Sequence, residues 1–213
     1  MKSNSVADQL GARRESTKLV IFDLGGVVIR YSEAWYAKEL SNETRVPAKK
    51  ILTLVKSLDP KLDLGKLSLE RFNDIISKRL GIPKDVVKWG ERFYSLSSLD
   101  YGVYRIMKKL RKRYKVVILS NISRSRYYQS LKIVRKDSFE RYFASCFLKT
   151  RKPERKIYLY VLRKMRVKPE EAIFIDNLKE NVLGAEVVGI KGLLFTGSGK
   201  LEKDLKKLGV RLD

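Results

Sequence analysis

A short apolar segment near the start of the chain ends abruptly in an acid and two glycines. The segment reads Lys18-Leu-Val-Ile-Phe-Asp-Leu-Gly-Gly-Val-Val-Ile29. A run this short and this rich in β-branched residues is typical of a strand buried on both faces of a sheet. Asp23 then lies at the carboxyl end of the strand, where open α/β sheets place their chemistry. Gly25 and Gly26 let the backbone turn sharply and come close to a ligand.

The same pattern of an apolar run that ends in polar residues occurs twice more. The runs and their polar ends are Lys115–Leu119 with Ser120 and Asn121, and Ala172–Ile175 with Asp176 and Asn177. Gly192–Phe195 is a further predicted strand, Ser145–Leu148 is a weaker strand candidate, and segments with helical spacing separate the strands. This alternation predicts an α/β fold with a mainly parallel sheet covered by helices on both faces.

A long segment without convincing strands interrupts the alternation after the first strand. Apolar residues between 31 and 99 recur at helical spacing, Ser68 is a plausible N-cap, Gly81 ends a helix and Pro83 begins the next. We therefore divide the chain into a polar N-terminal tail at 1–17, a Rossmann-like core formed by 18–30 and 100–213, and an inserted helical domain at 31–99.

Composition excludes several kinds of catalytic site. The chain has no histidine and a single cysteine, Cys146, among its 213 residues. This excludes Ser-His-Asp triads, the usual zinc sites and internal disulfide bonds. No apolar stretch approaches the roughly 18 residues that a transmembrane helix needs, and the N-terminus lacks the apolar segment of a signal peptide. We therefore expect a cytoplasmic protein without a membrane partner.

The strongly basic composition favours an anionic partner. The formal net charge is +23 and the isoelectric point is about 10.1. Because the basic residues are scattered along the whole chain, we expect a small phosphorylated metabolite rather than nucleic acid. A lysine-rich, solvated surface of the kind found in heat-adapted proteins is an alternative explanation that the sequence leaves open. The sequence does not identify the metabolite or the oligomeric state.

The polar strand ends form a set with a definite chemistry. In a parallel sheet Asp23, Ser120 and Asp176 meet at one edge, and Lys152 precedes a proline at the start of a predicted helix. Two acids without a histidine suit a hard cation such as Mg²⁺. A lysine, a hydroxyl and free backbone N–H groups suit a phosphate. A carboxylate beside both can attack phosphorus and form an aspartyl-phosphate.

The order of these motifs resembles the haloacid dehalogenase (HAD) superfamily over about residues 18–195. The matching motifs are Phe22-Asp-Leu-Gly-Gly-Val27, Ile118-Leu-Ser-Asn121, Arg151-Lys-Pro153, and Phe174-Ile-Asp-Asn177 followed by Glu180-Asn-Val-Leu-Gly-Ala185. The segment Gly65–Phe72 also resembles the helical cap of this family. The Gly-Gly form of the first motif resembles the branch that includes glucose-1-phosphate phosphatases and epoxide-hydrolase-associated phosphatase-like domains.

The resemblance implies a role for each matching residue in a Mg²⁺-dependent phosphatase with a HAD fold. Asp23 would be the nucleophile and a metal ligand, with the Gly25 carbonyl and Asp176 as further ligands. Lys152 would neutralise both the nucleophile and the phosphate. The remaining implied roles are phosphate binding by Ser120, Asn121 and Gly26, and support of the metal ligands by Asn177 and Asn181.

Two positions depart from the family pattern. Most phosphatases of the family have a second aspartate two residues after the nucleophile, where this chain has Gly25. That aspartate is the general acid, and such catalysis contributes about 10²–10⁴-fold. We therefore expect slow turnover or a need for good leaving groups, unless a cap residue or a water substitutes. Asn177 also replaces the usual acid, which removes a charge near the metal.

Several alternatives remain open at this point. A 2-haloacid dehalogenase would use Asp23 to attack carbon without metal, but that branch typically lacks an acid at the place of Asp176. A catalytically weakened domain that binds an anionic partner would explain the two departures and the charge. The long helical insertion argues against a receiver-like phospho-acceptor domain. Gly197-Ser-Gly-Lys200 resembles the end of a nucleotide P-loop but lacks its earlier glycine, and Leu201 follows in place of Ser or Thr.

Overall fold

The computed structural model describes residues 17–213, so the tail predicted at 1–17 lies outside the described residues except for Thr17. Across 17–213 the strands β1–β7 are, in chain order, Leu19–Phe22, Ile29–Arg30, Ser98–Leu99, Lys115–Ser120, Arg141–Ala144, Ala172–Asp176 and Lys191–Leu194. The helices α1–α11 are Glu33–Thr44, Ala48–Asp63, Leu69–Leu80, Lys84–Val87, Trp89–Ser95, Tyr101–Leu110, Arg124–Ser130, Ser145–Leu148, Arg155–Met165, Lys179–Glu186 and Ser198–Lys207. Short 3₁₀ turns occur at Lys136–Ser138 and Pro169–Glu171.

The central sheet has five parallel strands in the order β5-β4-β1-β6-β7. Strand β1 lies in the middle and pairs in register with β4 and β6. Successive side chains of β1 alternate between two apolar clusters: Val20 and Phe22 pack on one face, and Leu19 and Ile21 on the other. Helices cover both faces, which confirms the predicted parallel α/β fold and explains why β1 is apolar throughout.

The helices between residues 33 and 95 have an apolar core of their own. Trp89 is fully buried there. Its ring lies 4.3 Å from that of Tyr36 at a right angle and 5.3 Å from that of Phe72. Strands β2 and β3 pair antiparallel at the two ends of this helical segment, Ile29 opposite Leu99. The helices therefore extend from a two-stranded stem beside β1; the division of the chain into domains stays a prediction.

Three local predictions were wrong or incomplete. Residues 145–148 form helix α8, and the neighbouring strand is β5, Arg141–Ala144. The helix predicted to begin at Pro83 breaks at Lys88, which has a φ of 37° and separates α4 from α5. The two-residue strands β2 and β3 were not predicted, because two residues are too few to show an alternating pattern. The caps at Ser68 and Gly81 are confirmed.

No helix within residues 17–213 is long and apolar enough to cross a membrane. The compartment in which the protein works stays a prediction.

Helix α10 packs closely against the loop that carries Lys152. A Cβ atom at Gly184 would lie 2.7 Å from the carbonyl oxygen and 2.8 Å from the Cβ of Pro153. Both distances are shorter than van der Waals contact, so a larger residue at 184 must push the loop away from the helix. By contrast, a Cβ at Gly199 in helix α11 would meet no atom within 4 Å.

We expect Gly184→Ala to lower the free energy of unfolding by about 1–3 kcal/mol, the usual range for overpacking. The matched variant Gly199→Ala should leave stability unchanged or raise it by up to about 1 kcal/mol, because alanine favours a helix over glycine. Urea unfolding followed by circular dichroism measures both. Equal effects of the two substitutions would contradict the close packing of α10 on the Pro153 loop.

Candidate active site

The carboxyl ends of β1, β4 and β6 bring the predicted site residues to one edge of the sheet. Asp23 follows β1, Ser120 ends β4 and Asp176 ends β6. Strand pairing places these ends side by side, since Phe22 is opposite both Ile118 and Ile175. All three polar residues are at least nine-tenths buried. The edge therefore holds two carboxylates and a hydroxyl that are shielded from bulk water.

Lys152 joins the two acids. Its Nζ donates to Asp176 Oδ2 at 2.7 Å and also contacts Asp23 Oδ1. The side chain is 1% exposed, and its ammonium lies 5.4 Å from the ring centre of Phe174. The structure thus places Asp23 and Asp176 close enough to share a single cation, the arrangement that the sequence pattern required.

One ammonium faces two buried carboxylates, which leaves a net negative charge in the site. Burial, followed by repulsion from Asp176, raises the pKa of Asp23 to about 7, although Lys152 opposes this shift. Burial disfavours the charged form of Lys152, but attraction to Asp176 and Asp23 outweighs it and raises the pKa of the ammonium. Lys152 therefore stays protonated, while the pair of acids attracts a further cation or a proton.

Asn121 fixes the position of Lys152 from the end of strand β4. Its side-chain amide donates to the carbonyl oxygen of Lys152 at 2.9 Å, and its Oδ1 accepts from the backbone N–H of Lys152 at 2.8 Å. The peptide bond that follows, Lys152–Pro153, is cis. Asn121 therefore positions the lysine, a contact that the sequence analysis did not assign to it.

The two glycines after Asp23 differ in their surroundings. Gly26 has a φ of 83°, a left-handed conformation that favours glycine, and a Cβ there would lie 2.6 Å from Nδ2 of Asn177. Gly25 lines the cavity above Asp23. The loop can therefore pass close to Asn177 only because residue 26 has no side chain.

The oxygen atoms around Asp176 fit a hard cation. Asp176 Oδ1 accepts from the N–H of Leu178 at 2.8 Å, and Oδ2 accepts from Nδ2 of Asn181 at 3.0 Å. Oδ1 of Asn181 is buried and has no hydrogen-bond partner among the described residues. Residues 17–213 contain no cluster of three or more His, Cys, Asp or Glu residues suited to a metal. Mg²⁺ is compatible with this set, since it often binds one or two carboxylates and completes its shell with water.

A cavity of about 190 Å³ opens above these residues. It is lined by the predicted residues Asp23, Gly25, Ser120, Asn121, Lys152, Asn177 and Asn181. Further polar residues line it that the sequence analysis did not single out, namely Tyr31, Ser32, Glu33, Asp59, Asp63, Arg126 and Arg151. Asp176 and Gly26 do not line the cavity. The other predicted residues line it together with residues that come mainly from the helical segment at 31–99.

Arg126 organises the unpredicted end of the cavity. One guanidinium nitrogen, Nη2, donates to Asp59 Oδ1 at 2.9 Å and to Asp63 Oδ1 at 2.6 Å. The guanidinium also lies 5.2 Å from the ring centre of Trp89. Ser145 adds a hydrogen bond of 2.8 Å to the backbone carbonyl of Asp63. These contacts join helix α2 of the insertion to helices α7 and α8 of the core.

The sequence contained a signal for this cluster. Asp59 and Asp63 are four residues apart in α2, next to the buried stripe of Ile51, Val55, Leu58 and Leu62. Acids beside an apolar helix face are rarely buried without a cationic partner. The sequence could have shown that these acids need a cation, but only the fold shows that the cation is Arg126.

Comparison with known proteins decides the family. The model of the haloacid dehalogenase-like hydrolases matches residues 17–189, which is most of the chain. The chain belongs to this family. The match includes both β1 and β6, the strands that carry Asp23 and Asp176, and it confirms the resemblance drawn from the motifs. The branch within the superfamily stays a prediction.

The curated relatives of this hydrolase include three phosphatases or phosphate-ester hydrolases. The sesquiterpene phosphatase of Aspergillus oryzae is 25% identical over 195 residues, which cover 90% of this chain and 96% of the relative. The chloroplast flavin mononucleotide hydrolase 1 of Arabidopsis thaliana is 40% identical over 70 residues, 33% of this chain and 29% of the relative. The glyceraldehyde 3-phosphate phosphatase of Pyrococcus furiosus is 39% identical over 71 residues, 33% of this chain and 30% of the relative.

Solved structures share the fold. A HAD family enzyme from Bacteroides thetaiotaomicron, an Asp-to-Ala variant in complex with magnesium and inorganic phosphate, has a TM-score of 0.69 at 22% identity and covers 83% of this chain and 93% of its own. The L-2-haloacid dehalogenase of Xanthobacter autotrophicus has a TM-score of 0.65 at 17% identity and covers 89% of this chain and 82% of its own. Because a phosphate-bound enzyme and a dehalogenase match almost equally well, these likenesses support the fold alone.

Removal of the lysine charge should destabilise this hydrolase in a pH-dependent way. We expect Lys152→Met to lower the free energy of unfolding by about 3–5 kcal/mol at pH 8 in EDTA, because two buried carboxylates lose their partner. Without the ammonium, the folded state holds protons on these acids to a higher pH than the unfolded chain does. Stability of the variant should therefore recover as the pH falls from 8 to 5, and denaturant unfolding at several pH values measures this.

Lys115→Met is the matched control. The ammonium of Lys115 donates to the backbone carbonyl of Met165 at 2.8 Å, so its partner in this contact is a neutral group and not a carboxylate. Its loss should cost about 1 kcal/mol, the usual worth of one hydrogen bond, with little dependence on pH. If Lys152→Met loses the same stability at pH 5 and at pH 8, the two acids do not depend on the lysine as described.

Proposed function

We propose that this hydrolase is a Mg²⁺-dependent phosphatase that cleaves a small phosphate monoester through an aspartyl-phosphate on Asp23. The observation that carries the proposal is the shared contact of Lys152 with Asp23 and Asp176 at one end of a polar cavity. A buried carboxylate beside a protonated amine suits nucleophilic attack on a phosphate, because the amine offsets the repulsion between two anions.

Each residue at the sheet edge has a task in this reaction. Asp23 attacks phosphorus, and Lys152 stabilises the charge that develops on the phosphoryl oxygens. The Ser120 hydroxyl and the backbone N–H groups near Gly26 hold the transferring group in line with the nucleophile. Asn121 keeps the lysine in place through its two hydrogen bonds to the Lys152 backbone. Positioning and electrostatic stabilisation supply most of the rate enhancement in such a transfer.

Mg²⁺ is the proposed cofactor. Asp23, the Gly25 carbonyl and Asp176 would hold it, with Asn177 and Asn181 in support. The unpartnered Oδ1 of Asn181 and the excess negative charge of the two acids support this assignment. When bound, the ion would offset the charge of the phosphate and polarise its oxygens.

The names of the relatives support a phosphate ester as the substrate and do not identify the organic group that carries the phosphate. Their names share a phosphate ester but differ in the group that carries it: a sesquiterpene, a flavin nucleotide and a three-carbon sugar. The cavity of about 190 Å³ favours a small leaving group. We propose a small phosphorylated metabolite in the cytoplasm as the substrate, attracted by the basic protein, whose net charge is +23.

The proposal predicts hydrolysis of p-nitrophenyl phosphate in the presence of Mg²⁺. Asp23→Asn should reduce the rate to background, because the amide does not form the acyl-phosphate. EDTA should likewise abolish turnover by the unmodified enzyme, and added Mg²⁺ should restore it. Release of p-nitrophenolate measures all three.

Asp204→Asn is the control for a general effect of charge removal. Asp204 lies on helix α11 and pairs with Lys200 at the surface, so this variant should keep full activity. Equal rates for the unmodified enzyme and Asp23→Asn would contradict the proposal. Release of chloride from a 2-haloacid without metal would assign the chain to the dehalogenases instead.

A further inference from the structure

The cavity contains a partly buried acid that neither the family motifs nor the comparisons assign. Asp59 lines the same cavity as the nucleophile Asp23, but it comes from helix α2 of the insertion. Gly25 leaves the core without a side chain at the position of the usual general acid. A phosphatase of this kind therefore needs a proton donor from another element if its leaving group is basic.

We propose that Asp59 is the catalytic acid that protonates the leaving-group oxygen, in place of the side chain that Gly25 lacks. The proposal rests on the phosphatase function proposed above and names one further residue for it. Three observations support it: the shared cavity, the charge balance around Arg126, and the exposure of Asp59 relative to its neighbour Asp63.

The charge balance favours a proton on one acid of the cluster. Asp59 Oδ1 and Asp63 Oδ1 accept from the same nitrogen of Arg126, so the two carboxylates are close to each other and share one cation. Two shielded carboxylates that share one guanidinium nitrogen do not both ionise readily. Arg151 also lowers the pKa of Asp63 but is not among the groups that shift the pKa of Asp59, which favours a proton on Asp59. Burial is the largest cause that raises the pKa of Asp59, to about 7, and repulsion from Asp63 and Glu33 adds to it.

Exposure selects Asp59 rather than Asp63. The side chain of Asp59 is 13% exposed, against 4% for Asp63. Oδ1 of Asp59 bonds to Arg126, while Oδ2 receives no hydrogen bond from a residue of the described part of the chain. The backbone of Asp63 is tied to Ser145. Asp59 is therefore the acid of the pair that can reach a substrate in the cavity.

The other titratable side chains that face the cavity are poorer donors. Arg126 and Arg151 stay charged at any pH the enzyme experiences. Burial raises the pKa of Tyr31 well above its usual value, which makes the phenol a weak acid. Glu33 lies in the first turn of α1, outside the pair of acids that Arg126 holds. Lys152 is already bonded to both site acids.

The proton balance closes over the two steps. As Asp23 attacks phosphorus, the bond from phosphorus to the leaving oxygen breaks and its electron pair stays on that oxygen. Asp59 gives its proton to this oxygen, and the alcohol departs. In the second step, a water attacks the phosphorus of the aspartyl-phosphate and loses a proton to the Asp59 carboxylate. The bond from phosphorus to the Asp23 oxygen breaks, and its electron pair stays on the Asp23 carboxylate. Inorganic phosphate leaves, and both acids return to their starting states.

The test compares two leaving groups in Asp59→Asn. p-Nitrophenolate departs without a proton at neutral pH, whereas phenolate resembles the side chain of tyrosine, with a pKa of about 10. Asp59→Asn should lower kcat/KM for phenyl phosphate by about 10²–10⁴-fold, the usual share of a general acid. Its effect on p-nitrophenyl phosphate should be at most about tenfold, because that leaving group needs little protonation.

Asp63→Asn is the matched control. It removes the same charge from the same cluster, so a purely structural role predicts similar behaviour of the two variants. We expect Asp63→Asn to change kcat/KM of both substrates by one common factor. The assignment of Asp59 would be overturned if Asp59→Asn also changed kcat/KM for both substrates by one common factor. It would be overturned as well if Asp59→Asn left kcat/KM for phenyl phosphate unchanged.

A measurement on the unmodified enzyme keeps the proposal testable if Asp59→Asn does not fold. The ratio of kcat/KM for phenyl phosphate to that for p-nitrophenyl phosphate should fall as the pH rises past about 7, because Asp59 loses its proton there. Titration of Asp23 cancels in this ratio, and above about pH 7 both substrates are dianions, since the second pKa of such a phosphate is about 6. A ratio that stays constant from about pH 7 to about pH 9 would overturn the assignment.

The two proposals fail in different ways. If Asp23→Asn is inactive but Asp59→Asn lowers kcat/KM for both substrates by the same factor, the phosphatase function stands and only the role of Asp59 is wrong. If Asp23→Asn hydrolyses both substrates as well as the unmodified enzyme does, the phosphatase function itself fails, and the assignment of Asp59 fails with it.

Discussion

One buried ammonium between two buried carboxylates is the interaction on which the rest of the site depends. Asp23 follows β1 and Asp176 ends the neighbouring strand β6, and Lys152 comes from a loop before helix α9. Taking such charges out of water is expensive unless they are paired. The pairing is therefore a condition for folding as well as for chemistry. Asn121 and the close approach of Gly184 to Pro153 hold the loop where this pairing is made.

This half of the site could be predicted because its geometry follows from the sheet. The ends of parallel strands meet at one edge, so an acid after β1 and an acid at the end of β6 have to be neighbours. The strands themselves were evident, since each is a short apolar run with β-branched residues. Lys152 could be placed in a loop at a helix start from the proline that follows it, but nothing in the local pattern shows that its side chain turns inward between the two acids.

The other half could not be predicted in the same way. The cluster of Asp59, Asp63 and Arg126 forms where helix α2 contacts helix α7. The spacing of apolar residues along the sequence does not show how two such distant helices pack against each other. The prediction of a strand at Ser145–Leu148 was wrong for a related reason. That segment is apolar enough for a strand, but its Ser145 hydroxyl bonds to the insertion and to the N–H of Ile122. Tertiary contacts decided both cases.

The two halves have different electrostatic characters, and this difference bears on the chemistry. At the core end Lys152 bridges two acids, and Asp23, whose pKa burial raises to about 7, has to be deprotonated for the proposed attack on phosphorus. At the other end, burial raises the pKa of Asp59 to about 7 beside Arg126, and Arg151 adds a further positive charge near Asp63. A nucleophile and a proton donor need opposite protonation states at one pH. An acid on helix α2 keeps its charge apart from that of Asp23, whereas an acid at residue 25 would lie beside the proposed metal site. The hydrogen bonds that join α2 to helices α7 and α8 also hold Asp59 at the cavity, so the packing of these helices positions the proposed donor.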